Sequence, residues 1–216
     1  MMQTLPRHFF VTGTDTGVGK TTVSVRLMQA FAAQGLKVIG MKPVASGCEW
    51  LDGQWQNEDV RQLIAASNVV APPEWINPYC FEPPIAPHIA AAEAGVDIQL
   101  EVIEAAYRQL ATMADVVVVE GAGGLLVPLN STQTIADLIQ ALALPALLVV
   151  GMRLGCINHA LLTAEVLAQR NIEGCGWVAN SIDPQMSRPD ENLQTLIACL
   201  QQPPVLTLPY QAARTP

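Results

Sequence analysis

The residues best suited to chemistry in this sequence form a glycine-rich stretch near the N-terminus, from Phe9 to Thr22. A short apolar run ends there in Gly-Thr-Asp-Thr-Gly-Val-Gly-Lys-Thr-Thr, and an amphipathic segment, Val23 to Phe31, follows it. A strand, a glycine turn and a helix in this order are typical of a phosphate-binding loop, because free backbone N–H groups at the helix start bind phosphate oxygens. The ammonium of Lys20 then suits the β- and γ-phosphates, and the hydroxyl of Thr21 suits Mg²⁺.

The spacing of this loop is unusual. Five residues separate Gly13 from Gly19, whereas the common pattern has four. Gly17 supplies a second flexible point, so we interpret the loop as a longer variant. A carboxylate near phosphates is repulsive unless it faces away, so we interpret Asp15 as structural or as orienting a neighbouring hydroxyl.

Further candidates follow the ends of the next apolar runs, where a parallel sheet binds its ligands. Lys42 and Ser46 follow the second run, and a lysine there can bind an anion or stabilise a developing oxyanion. Taken alone, a lysine at this position is more often an ordinary surface residue. Glu120 ends a run of four valines and is followed by Gly121-Ala122-Gly123, as expected of an acid that holds Mg²⁺ beside a phosphate loop. Asp59 opens a helical pattern, so it is either a second Mg²⁺ ligand or an acid favoured by the helix dipole.

Two later runs also end in polar residues. Backbone N–H groups of Gly155 to Asn158 open a helix and can bind a carboxylate or phosphate. Cys156 and His159 could form a nucleophile and base, but packing is the favoured interpretation because no third group orients them. Asn180 suits a purine contact, although Ser181 stands where a guanine-reading element has lysine.

The pattern of apolar runs predicts the fold. Strands covered on both faces alternate with amphipathic helices, which indicates a mostly parallel sheet. The predicted class is α/β, a three-layer P-loop NTPase-like fold with helices on both faces, and residues 1–216 are predicted to form a single domain. Predicted strands are His8–Thr12, Lys37–Met41, Asp115–Glu120, Ala146–Gly151, Gly176–Asn180 and Val205–Leu208; predicted helices are Lys20–Gln34, Asp59–Ser67, Ile98–Met113, Thr134–Leu142, Ile157–Arg170 and Asp190–Leu200.

Composition narrows the cellular setting. The formal charge is −8 and half of the residues are hydrophobic, which disfavours binding to nucleic acid. Met1 to His8 lacks the apolar core of a signal peptide, and the longest apolar run, Ala141 to Met152, is too short to span a bilayer. We therefore expect a cytoplasmic chain with no membrane partner. The five cysteines contain no Cys-x-x-Cys pair, so reduced thiols are expected, with neither a disulfide nor a zinc site.

Three classes of function are compatible with a phosphate loop. The first is an enzyme that uses ATP to activate a small molecule, the second a nucleotide-driven switch such as a GTPase or partition-type ATPase, and the third a structural module without chemistry. A switch would need a guanine-reading lysine, a second lysine early in the loop or an amphipathic tail. None of these is present: Ser181 replaces the first lysine, the loop begins Gly13-Thr14-Asp15, and Gln211 to Pro216 is not amphipathic. A structural module gives no reason for Lys42, Ser46 and Glu120 to accompany the loop. The small-molecule enzyme is favoured.

A series of motifs extends from about residue 8 to residue 210, nearly the whole chain. In order they are Gly-Thr-Asp-Thr-Gly-Val-Gly-Lys-Thr, Lys-Pro-Val-Ala-Ser-Gly, Asn-Pro-Tyr, Ala-Pro-His, Val-Glu-Gly-Ala-Gly-Gly, Val-Val-Gly-Met-Arg-Leu-Gly-Cys-Ile-Asn-His-Ala and Gly-Trp-Val-Ala-Asn. This order resembles that of the ATP-dependent dethiobiotin synthetase family, in which the stretched phosphate loop also occurs. The resemblance implies that 7,8-diaminopelargonic acid, CO₂ and ATP react to give dethiobiotin, ADP and phosphate in biotin biosynthesis. A carbamate and a carbamic-phosphoric anhydride are the implied intermediates; a nucleotide switch or another ATP-dependent ligase is the alternative.

The resemblance also implies roles for particular residues. Catalysis falls to Lys20, Lys42 and Thr16, and Ser46 contacts the carbamate or the substrate amines. Mg²⁺ is assigned to Thr21, Asp59 and Glu120. The nucleotide is assigned to Gly17, Val18, Gly19, Lys20, Thr21, Thr22, Asp59, Glu120, Gly121, Ala122, Gly123, Asn180, Ser181, Leu208, Pro209 and Tyr210.

The family's site lies at a homodimer interface, where the substrate carboxylate is held by the partner's helix start. The matching residues here are Gly155, Cys156, Ile157 and Asn158, which agrees with the anion site inferred above. Two departures from the family remain. Gly17 replaces an acid found in some relatives, and Gln211 to Pro216 supplies no acidic contact to the nucleotide, which leaves the preference for ATP open.

Overall fold

The structure, a computed structural model, describes residues 5–51 and 53–210. In chain order its elements are β1 (His8–Gly13), α1 (Lys20–Ala32), β2 (Val38–Met41), β3 (Val44–Ser46), β4 (Glu49–Leu51), β5 (Gln54–Gln56), α2 (Glu58–Ala66), α3 (Pro73–Ile76), β6 (Tyr79–Phe81), α4 (Pro87–Glu93), α5 (Leu100–Met113), β7 (Val116–Glu120), α6 (Ile135–Leu142), β8 (Ala146–Met152), α7 (Cys156–Gln169), β9 (Gly174–Ser181), α8 (Pro189–Leu200) and β10 (Leu206–Leu208). Residues 1–4 of the stretch expected to lack a signal peptide, and residues 211–216, expected not to be amphipathic, lie outside the described residues.

The central sheet contains six strands in the order β10-β9-β8-β1-β7-β2, and every neighbouring pair is parallel. These are the six predicted strands, and the six predicted helices are also present, with ends that differ by two residues or fewer. Because all six strands run the same way, their carboxyl ends meet at one edge of the sheet. The predicted α/β fold class is confirmed, whereas the extent of the single domain stays a prediction.

Helices cover both faces of the sheet, and the valines of β7 show why. Val116 and Val118 pack with Leu27 and Phe31 of α1 in one core. The alternate residues Val117 and Val119 pack on the opposite face with residues of α5 and α6. Side chains alternate along a strand, so an apolar residue at every position requires a covered surface on each side.

Small elements between β2 and α5 were missed by the sequence pattern. The strands β3 and β6 form a separate two-stranded parallel sheet, and β4 and β5 form an antiparallel hairpin. The short helices α3 and α4 each begin at a proline, a residue whose fixed φ suits the first turn of a helix.

The expectation that all cysteines are reduced was wrong, because Cys48 and Cys80 form a disulfide. Cys80 lies in β6 and Cys48 follows β3, and the parallel pairing of these strands brings the two residues together. The bond therefore links the loop after Ser46 covalently to β6. A disulfide between residues 32 apart in sequence is set by tertiary structure, so spacing alone could not indicate it.

Among the described residues, no helix combines the length and the apolar composition that crossing a membrane requires.

Candidate active site

The phosphate loop connects β1 to α1 and leaves the start of that helix open. Gly19, at the N-cap of α1, has φ of 85°, and no side chain caps the helix. The first turn of α1 also carries no acidic residue. The N–H groups of this turn therefore have no capping side chain and, with the positive end of the helix dipole, are suited to bind an anion.

Asp15 organises the loop rather than facing the phosphate position with a free carboxylate. Its carboxylate accepts the N–H of Thr16 at 2.7 Å and pairs with Arg153. Its backbone carbonyl accepts a hydrogen bond from the Lys20 ammonium at 2.9 Å. Asp15 thus orients both Lys20 and Thr16, the latter a residue with a hydroxyl, which agrees with its predicted structural role.

The ammonium of Lys20 lies in an environment that disfavours its charge. Burial, together with the nearby positive charge of Lys42, lowers the pKa of Lys20 to about 8. A bound phosphate group would supply the negative charge that favours the ammonium form. This arrangement suits a lysine whose partner is an anionic ligand.

Glu120 is the centre of the charged part of the site. Its carboxylate is fully buried at the end of β7. One oxygen accepts hydrogen bonds from the Thr21 hydroxyl at 2.8 Å and from Lys42 Nζ at 2.7 Å. The other accepts the hydroxyl of Ser24 at 2.8 Å. These contacts compensate the cost of burying the carboxylate.

Lys42 joins Glu120 to Asp59, because its Nζ also lies 2.7 Å from Asp59 Oδ2. Burial works against the ammonium, but the two carboxylates outweigh it and raise the pKa of Lys42. Burial likewise works against the Asp59 carboxylate, and the adjacent ammonium nevertheless lowers its pKa. Lys42 and Asp59 are therefore both charged at neutral pH, and the contacts of Lys42 with Asp59 and Glu120 hold the three side chains in place.

The predicted magnesium ligands Thr21, Asp59 and Glu120 are thus gathered around one point. They offer two carboxylates and a hydroxyl, the hard oxygen donors that Mg²⁺ prefers. Among the described residues, no group of three or more His, Cys, Asp or Glu side chains forms a metal site. A site with two carboxylates suits Mg²⁺ nonetheless, because this ion commonly completes its shell with substrate phosphates and water.

A cavity of about 640 Å³ lies between the phosphate loop, strand β3, the start of α2 and residues 84–87. Its lining includes residues assigned to the phosphates, to Mg²⁺ and to the second substrate, namely Thr16, Gly17, Gly19, Lys20, Thr21, Thr22, Lys42, Ser46, Asp59, Ala122 and Gly123. The assigned residues Val18, Glu120 and Gly121 lie outside this lining. The hydroxyl of Ser46 is buried without a hydrogen-bond partner. An unpaired buried hydroxyl is costly, so a polar ligand in this cavity would be favoured beside it.

The predicted carboxylate site, Gly155 to Asn158, does not line this cavity. It forms the open start of α7, where Gly155 has φ of 94° and no side chain caps the helix. Its neighbour Leu154 is 92% exposed. Within one chain the predicted carboxylate site therefore lies outside the lining of the cavity.

Asn180 and Leu208 lie side by side at the ends of β9 and β10, next to the phosphate loop but outside the cavity lining. The Asn180 amide donates to the carbonyl of Val18 at 2.8 Å. A Cβ atom on Gly19 would lie 2.1 Å from the Asn180 amide nitrogen, so this close contact requires glycine. Of the remaining residues assigned to the nucleotide, Ser181 is half-buried, Pro209 and Tyr210 are exposed, and Gly121 packs against Phe10.

Cys156 packs in the core between α7 and the sheet. The Cys156 and His159 side chains share no hydrogen bond among the described residues. The preference for packing over a nucleophile and base agrees with this geometry.

Sequence reasoning missed two residues that hold the site together. Ser24 binds Glu120, and Asn57 caps α2 with its side chain. Asn57 was detectable, since an asparagine followed by two acids is a common start of a helix. Ser24 was not, because nothing in a mid-helix serine indicates a contact with a strand 96 residues away.

Comparison with known proteins gives a consistent family assignment. A family model described as an AAA domain matches residues 7–216. The chain is 51% identical over 213 residues to an ATP-dependent dethiobiotin synthetase BioD from Aromatoleum aromaticum, a match that covers 99% of this chain and 95% of the relative. It is 57% identical over 204 residues to the ATP-dependent dethiobiotin synthetase BioD from Nitrosospira multiformis, covering 94% and 88%.

Among solved structures, the MinC:MinD cell division protein complex of Aquifex aeolicus contains a similar chain. The TM-score is 0.58 at 14% identity, over 95% of this chain and 82% of the other. At this identity the likeness concerns the fold alone.

Proposed function

The chain belongs to the family of ATP-dependent dethiobiotin synthetases, and we propose that it joins 7,8-diaminopelargonic acid to CO₂ with cleavage of ATP. The products are dethiobiotin, ADP and phosphate. One observation carries the proposal: the phosphate loop, Lys42 and the unpaired hydroxyl of Ser46 line a single cavity. A cavity with polar groups beyond the phosphate position has room for an acceptor as well as a nucleotide.

The proposed reaction begins when one substrate amine adds to CO₂ and loses a proton, which gives a carbamate. A carbamate oxygen attacks the γ-phosphorus, the bond to ADP breaks, and a carbamic-phosphoric anhydride forms. The second amine then attacks the carbamate carbon and loses a proton, the urea ring closes, and phosphate leaves with the bridging oxygen. Each step needs alignment and charge neutralisation rather than a protein nucleophile.

In this scheme two lysines neutralise charge at the reacting atoms. Lys20 faces the phosphates from the loop, and Lys42 faces the carbamate and the γ-phosphate. Thr16 and Ser46 donate hydrogen bonds to the carbamate or accept them from the amines. The burial of Lys42, which is 5% exposed, supports its role, because a charge acts more strongly where water is excluded.

Thr21, Asp59 and Glu120 are the proposed ligands of Mg²⁺. When bound, the ion would neutralise phosphate charge and align the nucleotide. Thr21 is hydrogen-bonded to Glu120, and Lys42 contacts both Asp59 and Glu120. These contacts support the assignment, because they already bring the oxygens of the three proposed ligands close together.

The nucleotide would lie along the loop from Gly17 to Thr22, with Gly121 to Gly123 beside its phosphates. Asn180, Ser181 and the segment Leu208 to Tyr210 would surround the base. The side-by-side ends of β9 and β10 support this assignment. The reaction uses water-soluble substrates, which fits the predicted cytoplasmic location.

We also propose a homodimer in which the partner's Gly155 to Asn158 binds the substrate carboxylate. The separation of this helix start from the cavity and the 92% exposure of Leu154 support a second chain at this surface. Sedimentation is expected to give a dimer. A strictly monomeric active enzyme would refute the shared site.

The experiment that tests the function is a coupled assay of phosphate release with ATP, Mg²⁺, bicarbonate and diaminopelargonic acid. We expect release to depend on the diamine and mass spectrometry to detect dethiobiotin in equal amount. Phosphate release that is independent of the diamine would favour an ATPase switch instead.

A further inference from the structure

Asn57 lies between the two halves of the proposed site. It follows the β4–β5 hairpin, precedes α2 and lines the cavity, and it is only 9% exposed. A buried amide requires hydrogen-bond partners, and those of Asn57 lie on two different elements.

The oxygen of the Asn57 side chain caps α2. It accepts the N–H of Asp59 at 3.0 Å and that of Val60 at 3.4 Å. The first turn of α2 is therefore fixed where Asp59 meets Lys42. The Asn57 side-chain oxygen therefore fixes the backbone at Asp59, a proposed ligand of Mg²⁺.

The nitrogen of the same side chain binds the backbone at the end of β3. It donates to the carbonyl of Ser46 at 3.1 Å and, more weakly, to that of Gly47 at 3.5 Å. Ser46 carries the buried hydroxyl that has no partner. The hairpin separates Ser46 from α2 along the chain, so the amide is a direct link that the backbone does not provide.

We propose that Asn57 is a positioning residue that keeps Ser46 and Asp59 in register, and so matches the diamine to the nucleotide and its metal ion. The inference rests on the proposed function and adds a residue to it. Asn57 acts through its neighbours and need not touch a reacting atom.

Three variants distinguish the effect of the Asn57 side-chain nitrogen from that of its oxygen. In Asn57→Ser and Asn57→Asp the side chain can still cap α2, but neither offers a donor that reaches the Ser46 carbonyl. We expect the KM for diaminopelargonic acid to rise about tenfold, as for a lost hydrogen bond, with the Mg²⁺ concentration for half-maximal activity unchanged. In Asn57→Ala both ends are lost, and both quantities are expected to rise.

Asn130→Ser is the matched control. The Asn130 side chain also accepts two backbone N–H groups and donates to a carbonyl, that of Ile98, but it lies outside the cavity lining. A comparable loss of thermal stability is expected, with the wild-type KM and Mg²⁺ requirement.

The outcomes are distinct. A wild-type diamine KM in Asn57→Ser and Asn57→Asp would overturn the positioning role alone. A change in stability without a change in KM, as in the control, would do the same. Absence of diamine-dependent phosphate release from the wild-type enzyme would overturn the proposed function and this inference with it.

Discussion

At the scale of single residues, Lys42 sets the charge balance of the site. Glu120 is fully buried, and a buried carboxylate without a cation beside it would be strongly destabilising. The ammonium lies 2.7 Å from oxygens of both Glu120 and Asp59, and its raised pKa keeps it charged. It is therefore suited to stabilise developing negative charge and unsuited to act as a base.

Replacement of Lys42 by alanine or methionine is expected to lower kcat by about 10²-fold or more, the scale of a lost oxyanion-stabilising group. ATP affinity should change little, because the phosphate loop and the start of α1 remain intact. Turnover and nucleotide titration measure the two effects. Methionine retains most of the side-chain volume, so equal losses in both variants would assign the effect to charge.

The thermal midpoint of each Lys42 variant must be compared with that of the wild type, because either change leaves Glu120 without its cation. Loss of ATP affinity in proportion to turnover would instead make Lys42 a nucleotide anchor.

At the scale of elements, the contact between the end of β9 and the phosphate loop limits the loop's sequence. A Cβ atom at Gly19 would lie 2.1 Å from the Asn180 amide and would force a φ of 85° on an L residue. We expect Gly19→Ala to weaken ATP binding by more than about tenfold, because the loop must shift away from Asn180 and the left-handed conformation costs about 1–2 kcal/mol.

Gly35→Ala is the control for backbone strain. Gly35 has φ of 80°, but nothing lies within 4 Å of a Cβ atom there. Calorimetric ATP titration of both variants should show wild-type affinity for Gly35→Ala. Wild-type affinity for Gly19→Ala as well would show that the loop does not depend on this contact.

The disulfide between Cys48 and Cys80 can be tested by counting thiols. Cys199 is exposed, Cys156 is buried, and burial raises the pKa of Cys175 to about 12. The folded protein at pH 8 should therefore have one fast-reacting thiol, because the thiolate is the nucleophile. Three free thiols are expected after unfolding without a reductant and five after reduction.

Five thiols in the unreduced, unfolded protein would contradict the bond. The Cys199→Ser variant should lose the fast-reacting thiol and is the control for its assignment.

The sequence indicated those parts of the fold that are long and periodic. The valine run of β7 and the phosphate loop identified the sheet and one side of the site, because both have local signatures. Strands β3 and β6 have only three residues each, too few to show the alternation of apolar and polar residues by which a strand is recognised. Their pairing, the disulfide and the link from Asn57 to Ser46 depend on contacts between distant segments, which no local pattern encodes.

At the scale of the whole molecule, the parallel sheet collects residues from distant strands at one edge. The ends of β1, β2 and β7 supply the phosphate loop, Lys42 and Glu120, and the last residue of β3 adds Ser46. The MinC:MinD complex contains a chain with a similar fold at 14% identity, so the fold does not determine the reaction. The cavity and the family relationship carry the functional argument.

In the proposed reaction the γ-phosphate passes to an oxygen of a carbamate formed from the diamine, and this transfer distinguishes it from simple ATP hydrolysis. It is tested most directly by a single turnover with freshly dissolved ¹⁸O-bicarbonate in ordinary water, quenched before the label exchanges. We expect inorganic phosphate that carries one ¹⁸O atom, since the bridging oxygen leaves with phosphorus, and dethiobiotin that retains the other label in its carbonyl. Unlabelled phosphate alongside labelled substrate would contradict it.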